Sequence, residues 1–139
     1  MNIARHELQI NCRGRGCYNI THDVSAWLAT TGVRDGLLNL FVRHTSCSLM
    51  VQENADPDVL ADMERFLSRL VPDGDPAFLH RSEGADDMPA HIRMALTQVS
   101  LTLPIASGRL ALGVWQGVYL YEHRYEPMLR RVWLQAIGQ

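Results

Sequence analysis

Between residues 36 and 137 the apolar residues fall into short runs of strand length, and most of the connectors between them are too short to hold a crossover helix. Gly36 to Arg43 is a nearly continuous apolar run, Ser46 to Gln52 alternates through Cys47, Leu49 and Val51, and Leu101 to Ile105 alternates again. Leu110 to Val114, Gly117 to Tyr121 and Arg131 to Ile137 complete the set. Parallel strands need a crossover of a dozen residues or more, whereas antiparallel strands close through tight turns. The spacing therefore predicts an antiparallel α+β sandwich rather than a parallel doubly wound sheet. Pro104 lacks an N–H, which sends its strand toward a sheet edge.

Three helices interrupt the strands. Thr21, as N-cap, opens one that runs to Thr31 with Val24, Trp27 and Leu28 on one side, and Gly32 stops it. The second is the clearest. Asp56 caps it, Pro57 suits the first helical position, and Val59, Leu60, Met63, Phe66, Leu67 and Leu70 form one apolar stripe. A third, shorter helix runs from Met88 to Thr97, with Asp87 as its cap.

A chain of 139 residues, 47% hydrophobic and 20% charged, makes one domain with a real core. A net charge of -2 argues against a general nucleic-acid or membrane-surface binder. The N-terminal segment has no apolar stretch of signal-peptide length, so the expected address is cytoplasmic. Three cysteines without CxxC spacing fit neither a zinc ribbon nor a disulfide framework. All 13 basic residues are arginine, which excludes Schiff-base catalysis and a P-loop lysine. Anionic groups must be held by arginine, helix N-termini or a metal.

The chemistry-bearing residues cluster at strand ends. Arg43-His44-Thr45-Ser46-Cys47 lies between two strands, and Asp87 and His91 share a face of the third helix, with His80 and Glu83 in the loop before it. Two or three histidines with a carboxylate suit zinc or magnesium, with a position open for water or substrate. Spacing alone leaves the ordinary reading open, in which each histidine is a hydrogen-bonded structural residue. Cys47 with His44 as base offers a nucleophile, against the commoner role of a small buried cysteine. Glu83, Asp86 and Asp87 suit acid/base work or simple helix-dipole chemistry. Trp115 suits stacking on a heterocycle or core packing, and Arg109, Arg124, Arg130 and Arg131 suit phosphate binding or solvated surface.

Together these motifs resemble the YjbQ family: His44-Thr45-Ser46, Glu53 to Asp58, Glu83 to Ile92, and Ser100 to Trp115-Gln116-Gly117. Glu122-His123-Arg124 matches the subgroup closest to bacterial YjbQ, and Val114 stands where the family usually has threonine. The resemblance implies a seven-stranded antiparallel β-sandwich assembled as a homotrimer. It implies catalytic roles for His44, His91, Glu53 and Asp87, substrate contacts from Ser46, Trp115, Gln116 and Arg124, and metal ligation by His44, His80 and His91. Family members are described as secondary thiamine-phosphate synthases, which join an aminopyrimidine methyl diphosphate to a thiazole phosphate. The expectation is therefore a transferase of that type acting on a phosphorylated small molecule. The alternatives are a metal-dependent hydrolase on another phosphorylated small molecule and a binding protein without turnover.

Overall fold

β1 (Asn2–Cys12) pairs antiparallel along its whole length with β8 (Met128–Gly138) in the computed structural model, which describes residues 1–139. β8 in turn pairs with β3 (Gly36–Val42), and β3 with β5 (Ser100–Ala106). The two-residue β6 (Arg109–Leu110) closes that sheet, giving the order β1-β8-β3-β5-β6. A second sheet sets β7 (Gln116–Glu122) between β2 (Gly16–Asn19) and β4 (Cys47–Glu53). Every pairing is antiparallel. The strands number eight rather than the expected seven; without the two-residue β6 the count is seven.

Alternation builds the core. Along β8, Val132, Leu134 and Ala136 are fully buried, while Arg131 and Trp133 face away. Leu38 and Leu40 of β3 meet them, and Cys47, Leu49, Val118 and Leu120 enter from the second sheet. Each fully buried Leu contributes on the order of 1.5–3 kcal/mol of transfer free energy. At Gly36 and Gly138, which face each other in the β3–β8 register, an added Cβ would lie 2.0–2.1 Å from a backbone carbonyl oxygen of the opposite segment, so no side chain fits. Pro104 is next to last in its sheet, covered only by the short β6, and its carbonyl accepts Ala111 N–H at 2.9 Å.

Helix α1 (Thr21–Thr31) packs Val24 and Leu28 into this core, and Gly32 ends it at φ 74°. Thr21 is its first residue rather than its cap. Its backbone N–H is received by Asn19 Oδ1 at 3.0 Å, and its hydroxyl accepts Val118 N–H at 2.8 Å. Helix α2 (Pro57–Leu70) begins as expected, with Asp56 Oδ1 accepting Asp58 N–H at 2.9 Å. Its apolar stripe is only partly covered: Val59, Leu60, Met63 and Leu67 are half-buried, and Phe66 and Leu70 are each 56% exposed. Helix α3 (Asp87–Leu96) starts one residue early. Asp86 takes the cap position without a capping bond, because its carboxylate accepts Tyr125 N–H and Arg124 Nε–H instead. No helix is long and apolar enough to cross a membrane.

The predicted strand Leu110 to Val114 is confined to its first residue. Gln116 Oε1 accepts Gly113 N–H at 2.8 Å and Gln116 N–H donates to Gly113 O at 3.0 Å, which curls the segment into a turn. The first 19 residues carry the two strands that the periodicity reading left unassigned.

Candidate functional site

β3 and β7 end, and β4 and β8 begin, at one edge of the sandwich, where the loop before α3 folds across. A cavity of about 640 Å³ opens there, lined by Arg43, His44, Thr45 and Ser46, by Glu83, Asp87 and His91, and by Arg124, Glu126, Met128 and Arg130. Only one of these eleven residues is hydrophobic.

At one side of the cavity the ligand atoms of His80, Asp87 and His91 lie within 4.8 Å of one another. The Asp87 carboxylate is 2% exposed. Its Oδ1 accepts Arg124 Nη1–H at 2.7 Å, and its Oδ2 faces His80 Nε2 at 2.6 Å and His91 Nε2 at 3.2 Å. Burial by itself raises the Asp87 pKa, but the His80 hydrogen bond and the Arg124 and His91 charges outweigh it and hold the carboxyl below its usual range.

His91 Nδ1 stands 2.6 Å from the Thr45 carbonyl oxygen. A carbonyl only accepts, so Nδ1 carries a proton there. His91 Nε2 must then either carry a second proton or turn its lone pair toward Asp87 Oδ2. A lone pair facing a carboxylate is repulsive unless a cation lies between them. The second arrangement is the one a metal-ligating histidine takes when a backbone carbonyl fixes its other nitrogen. Donors at 2.0–2.1 Å from a tetrahedral ion stand about 3.3 Å apart. The His91–Asp87 separation already matches, and His80, hydrogen-bonded to the same oxygen, must draw back by about 0.7 Å to join them.

His44 lines the same cavity but stands outside this cluster, which corrects its expected place as a ligand. Its Nε2 accepts Arg131 N–H at 2.9 Å, so the neutral ring carries its proton on Nδ1 and acts as a donor. Burial, then the Arg130 charge, lowers its pKa and keeps it neutral. His80 and His91 are ring neighbours, with centroids 5.4 Å apart.

Two expected substrate contacts have other partners. Arg124 is 8% exposed and engaged by Asp87, by Asp86 and by the Glu83 carbonyl, so it positions the carboxylate and the loop. Ser46 Oγ accepts from Arg130, whose guanidinium is paired to the fully buried Glu122. Glu53, Trp115 and Gln116 belong to the opposite edge. Glu53 pairs with Gln116 six residues along β7 from the Cys47–Glu122 pair, about 20 Å away at the rise of an antiparallel strand. There Glu53 Oε2 accepts the backbone N–H of Ala55 and Asp56, a turn-forming role. Trp115 is 62% exposed and touches nothing in the histidine cavity.

The Cys47 nucleophile also fails: the side chain is fully buried in the core, and burial raises its pKa to about 12. A serine–histidine pair exists that spacing did not suggest, Ser48 Oγ and His123 Nε2 at 2.9 Å. Arg93 Nε–H donates to His123 Nδ1 at 3.1 Å, so Nε2 carries the proton and cannot accept one from serine. The pair is structural.

What organises this edge is the run Tyr121-Glu122-His123-Arg124. Tyr121 Oη donates to Glu64 at 2.7 Å, and Glu122 holds Arg130. His123 joins Ser48 to Arg93, and Arg124 holds Asp87. Arg93 also pairs with Glu64, and no buried side-chain polar atom lacks a partner. Burial alone would raise the Glu64 pKa, yet hydrogen bonds from Arg93, Ser68 and Tyr121 bring it down to about 2.

The family model described as UPF0047 protein YjbQ-like matches residues 6–139. The UPF0047 protein sll1880 of Synechocystis is 49% identical over 95% of this chain and 90% of its own length. YjbQ of Salmonella typhimurium is 48% identical over 85% of this chain and 86% of its own. Among solved structures, the conserved hypothetical protein TT1486 of Thermus thermophilus superposes with a TM-score of 0.85 at 40% identity, covering 95% of this chain and 99% of that one. A Sulfolobus solfataricus protein described as YbjQ-like and of unknown function shares the fold, with a TM-score of 0.89 at 17% identity over 99% of both chains. None of these names carries thiamine-phosphate synthesis, which overturns the activity expected from the resemblance. The geometry agrees, since the aromatic ring expected to hold a pyrimidine is at the far edge from the histidines.

Proposed function

Since the chain belongs to the YjbQ-like UPF0047 family, whose named members point to no reaction, we propose its function from the site: a divalent-metal-dependent hydrolase acting on a phosphorylated small molecule. The observation that carries this reading is His91, with Nδ1 on the Thr45 carbonyl and Nε2 aimed at the Asp87 carboxylate. Two imidazoles and one carboxylate favour zinc over magnesium. When bound, such an ion supplies charge for an anionic substrate and lowers the pKa of a water in its open position.

The remaining residues have roles in a phosphoester hydrolysis. A water oxygen forms the new bond to phosphorus, and the bond to the ester oxygen breaks. Glu83, whose backbone carbonyl accepts from Arg124 and whose carboxylate stands 3.7 Å from His80 Nε2 in the cavity lining, takes the water proton. Neutral His44 donates an Nδ1–H hydrogen bond to the departing oxygen, which leaves as an alcohol with the proton that Glu83 took from the water. Arg43, with no carboxylate partner and its guanidinium 5.7 Å from the Trp133 ring centroid, is the free cation for the phosphate.

Hydrolysis of p-nitrophenyl phosphate and of a panel of phosphate esters, before and after chelation, tests this. Zinc-dependent release is expected, with Glu83→Gln lowering turnover about 10²-fold or more while zinc stays bound. Release that survives chelation, or none with zinc bound, contradicts the hydrolase reading.

The assembly we propose is a homotrimer. The exposed Phe66, Leu70 and Leu96 beside α2 and α3, and Leu37 and Phe41 on the outer face of β3, support further burial between chains. Three free thiols and no disulfide support a reducing, cytoplasmic compartment.

A further inference from the structure

The cavity wall also carries a reading of what kind of molecule it takes. We infer that the substrate is a small polyhydroxylated monophosphate, a sugar or polyol phosphate, rather than an aromatic or diphosphorylated compound. The inference rests on the metal reading above.

Charge sets the number of phosphates. The cavity holds three arginines, Arg43, Arg124 and Arg130, against three carboxylates, Glu83, Asp87 and Glu126, and so is balanced. Two of those arginines are already paired, Arg124 to Asp87 and Arg130 to Glu122. One divalent ion and Arg43 are what remain for an anion. Set against Glu83 and Glu126 they leave a surplus of one positive charge, which a phosphate monoester with close to two charges already offsets and a diphosphate exceeds further.

The lining sets the organic part. Its single hydrophobic residue is Met128 and it has no aromatic face, so a heterocycle has nothing to stack on. Trp115, the exposed aromatic of the matched motifs, is at the other edge of the strand pair. Glu126, on the same lining, comes no nearer to a cation than 4.0 Å, at Arg124. Free carboxylates of this kind recognise hydroxyl groups by accepting their hydrogen bonds, and they repel further phosphate. The Thr45 hydroxyl, at the cavity rim, adds a neutral donor and acceptor.

The test is calorimetric titration of the zinc-loaded Glu83→Gln protein, which keeps its zinc while turnover is slowed, with glucose 6-phosphate, glycerol 3-phosphate, inorganic phosphate, AMP and inorganic diphosphate. Glucose 6-phosphate should bind about tenfold more tightly than inorganic phosphate, the gain expected from one or two hydrogen bonds to a carboxylate. AMP and diphosphate should bind no better than inorganic phosphate. Glu126→Gln should collapse the preference for glucose 6-phosphate over inorganic phosphate, and Arg43→Ala should weaken both together. AMP or diphosphate binding more tightly than glucose 6-phosphate overturns the inference while leaving the metal site standing, as does a preference that Glu126→Gln does not touch. A protein that takes up no zinc removes the metal reading, and this inference with it.

Discussion

Acid should unfold this protein through one buried residue, His123. Its ring is fully buried between Ser48 and Arg93, and burial, followed by the Arg93 and Arg15 charges, pushes its pKa from 6.5 to about 3. The folded value lies below the unfolded one, so the unfolded chain takes the proton first. The contribution of this group is intact above about pH 6.5 and is lost as the pH falls toward 3. Each pH unit in that window costs about 1.4 kcal/mol, so going from pH 7 to pH 4 removes roughly 3 kcal/mol. Glu64, held at about 2 against its usual 4.5, works in the same direction and removes somewhat less than about 1 kcal/mol more by pH 4. A total near 4 kcal/mol is a large share of the roughly 5–15 kcal/mol of a typical domain. The assay is urea unfolding at pH 7, 5.5 and 4, at one protein concentration, for the wild type and for His123→Gln. Glutamine keeps a carbonyl for Arg93 and an N–H for Ser48 but cannot titrate. The wild type should lose stability more steeply below pH 6, by about 1.4 kcal/mol per unit, and the variant should be less stable at pH 7. Equal slopes for the two proteins would refute the reasoning.

Glu122→Ala should cost about 3–5 kcal/mol in urea unfolding, because it strands the buried Arg130 guanidinium; replacing the pair together, Glu122→Leu with Arg130→Met, should recover most of that loss. Asp56→Ala should cost about 1 kcal/mol by the same measurement and leave zinc affinity unchanged, since Asp56 caps α2 away from the cavity. Cys12 and Cys47, buried and each raised by burial to about 12, should resist iodoacetamide at pH 8 in the native protein and react once it unfolds, as mass spectrometry will read out.

The sequence disclosed α2 almost to the residue, because Asp56, Pro57 and a clean apolar stripe all point one way. It misplaced the start of α3 by one residue, because Asp86 and Asp87 both suit a cap and only the tertiary contacts of Arg124 and Tyr125 divide their roles. β1 alternates weakly because only Ile10 and Cys12 reach the core while Ile3 is exposed and His6 stands on the inner side, so pairing with β8 rather than local pattern makes it a strand. At the site, Asp87 and His91 could be grouped from their helical spacing, and His80 from its loop. What spacing could not tell is that His44 would meet a backbone N–H from β8, or that Arg124 would face a carboxylate rather than a ligand. The half-buried Glu64 and the buried Arg93 and His123 form a network between segments about 30 to 60 residues apart in sequence, which no local pattern brings together.

Zinc titration followed by calorimetry, on metal-stripped wild type and on Asp87→Asn, His91→Ala, His80→Ala and His44→Ala, bears most directly on the metal reading. One zinc per chain should bind to the wild type. Asp87→Asn and His91→Ala should abolish that binding and His80→Ala should weaken it, while His44→Ala retains it because that ring's Nε2 is spent on Arg131. A wild type that takes up no zinc, or an Asp87→Asn and His91→Ala pair that bind it as the wild type does, would contradict the assignment.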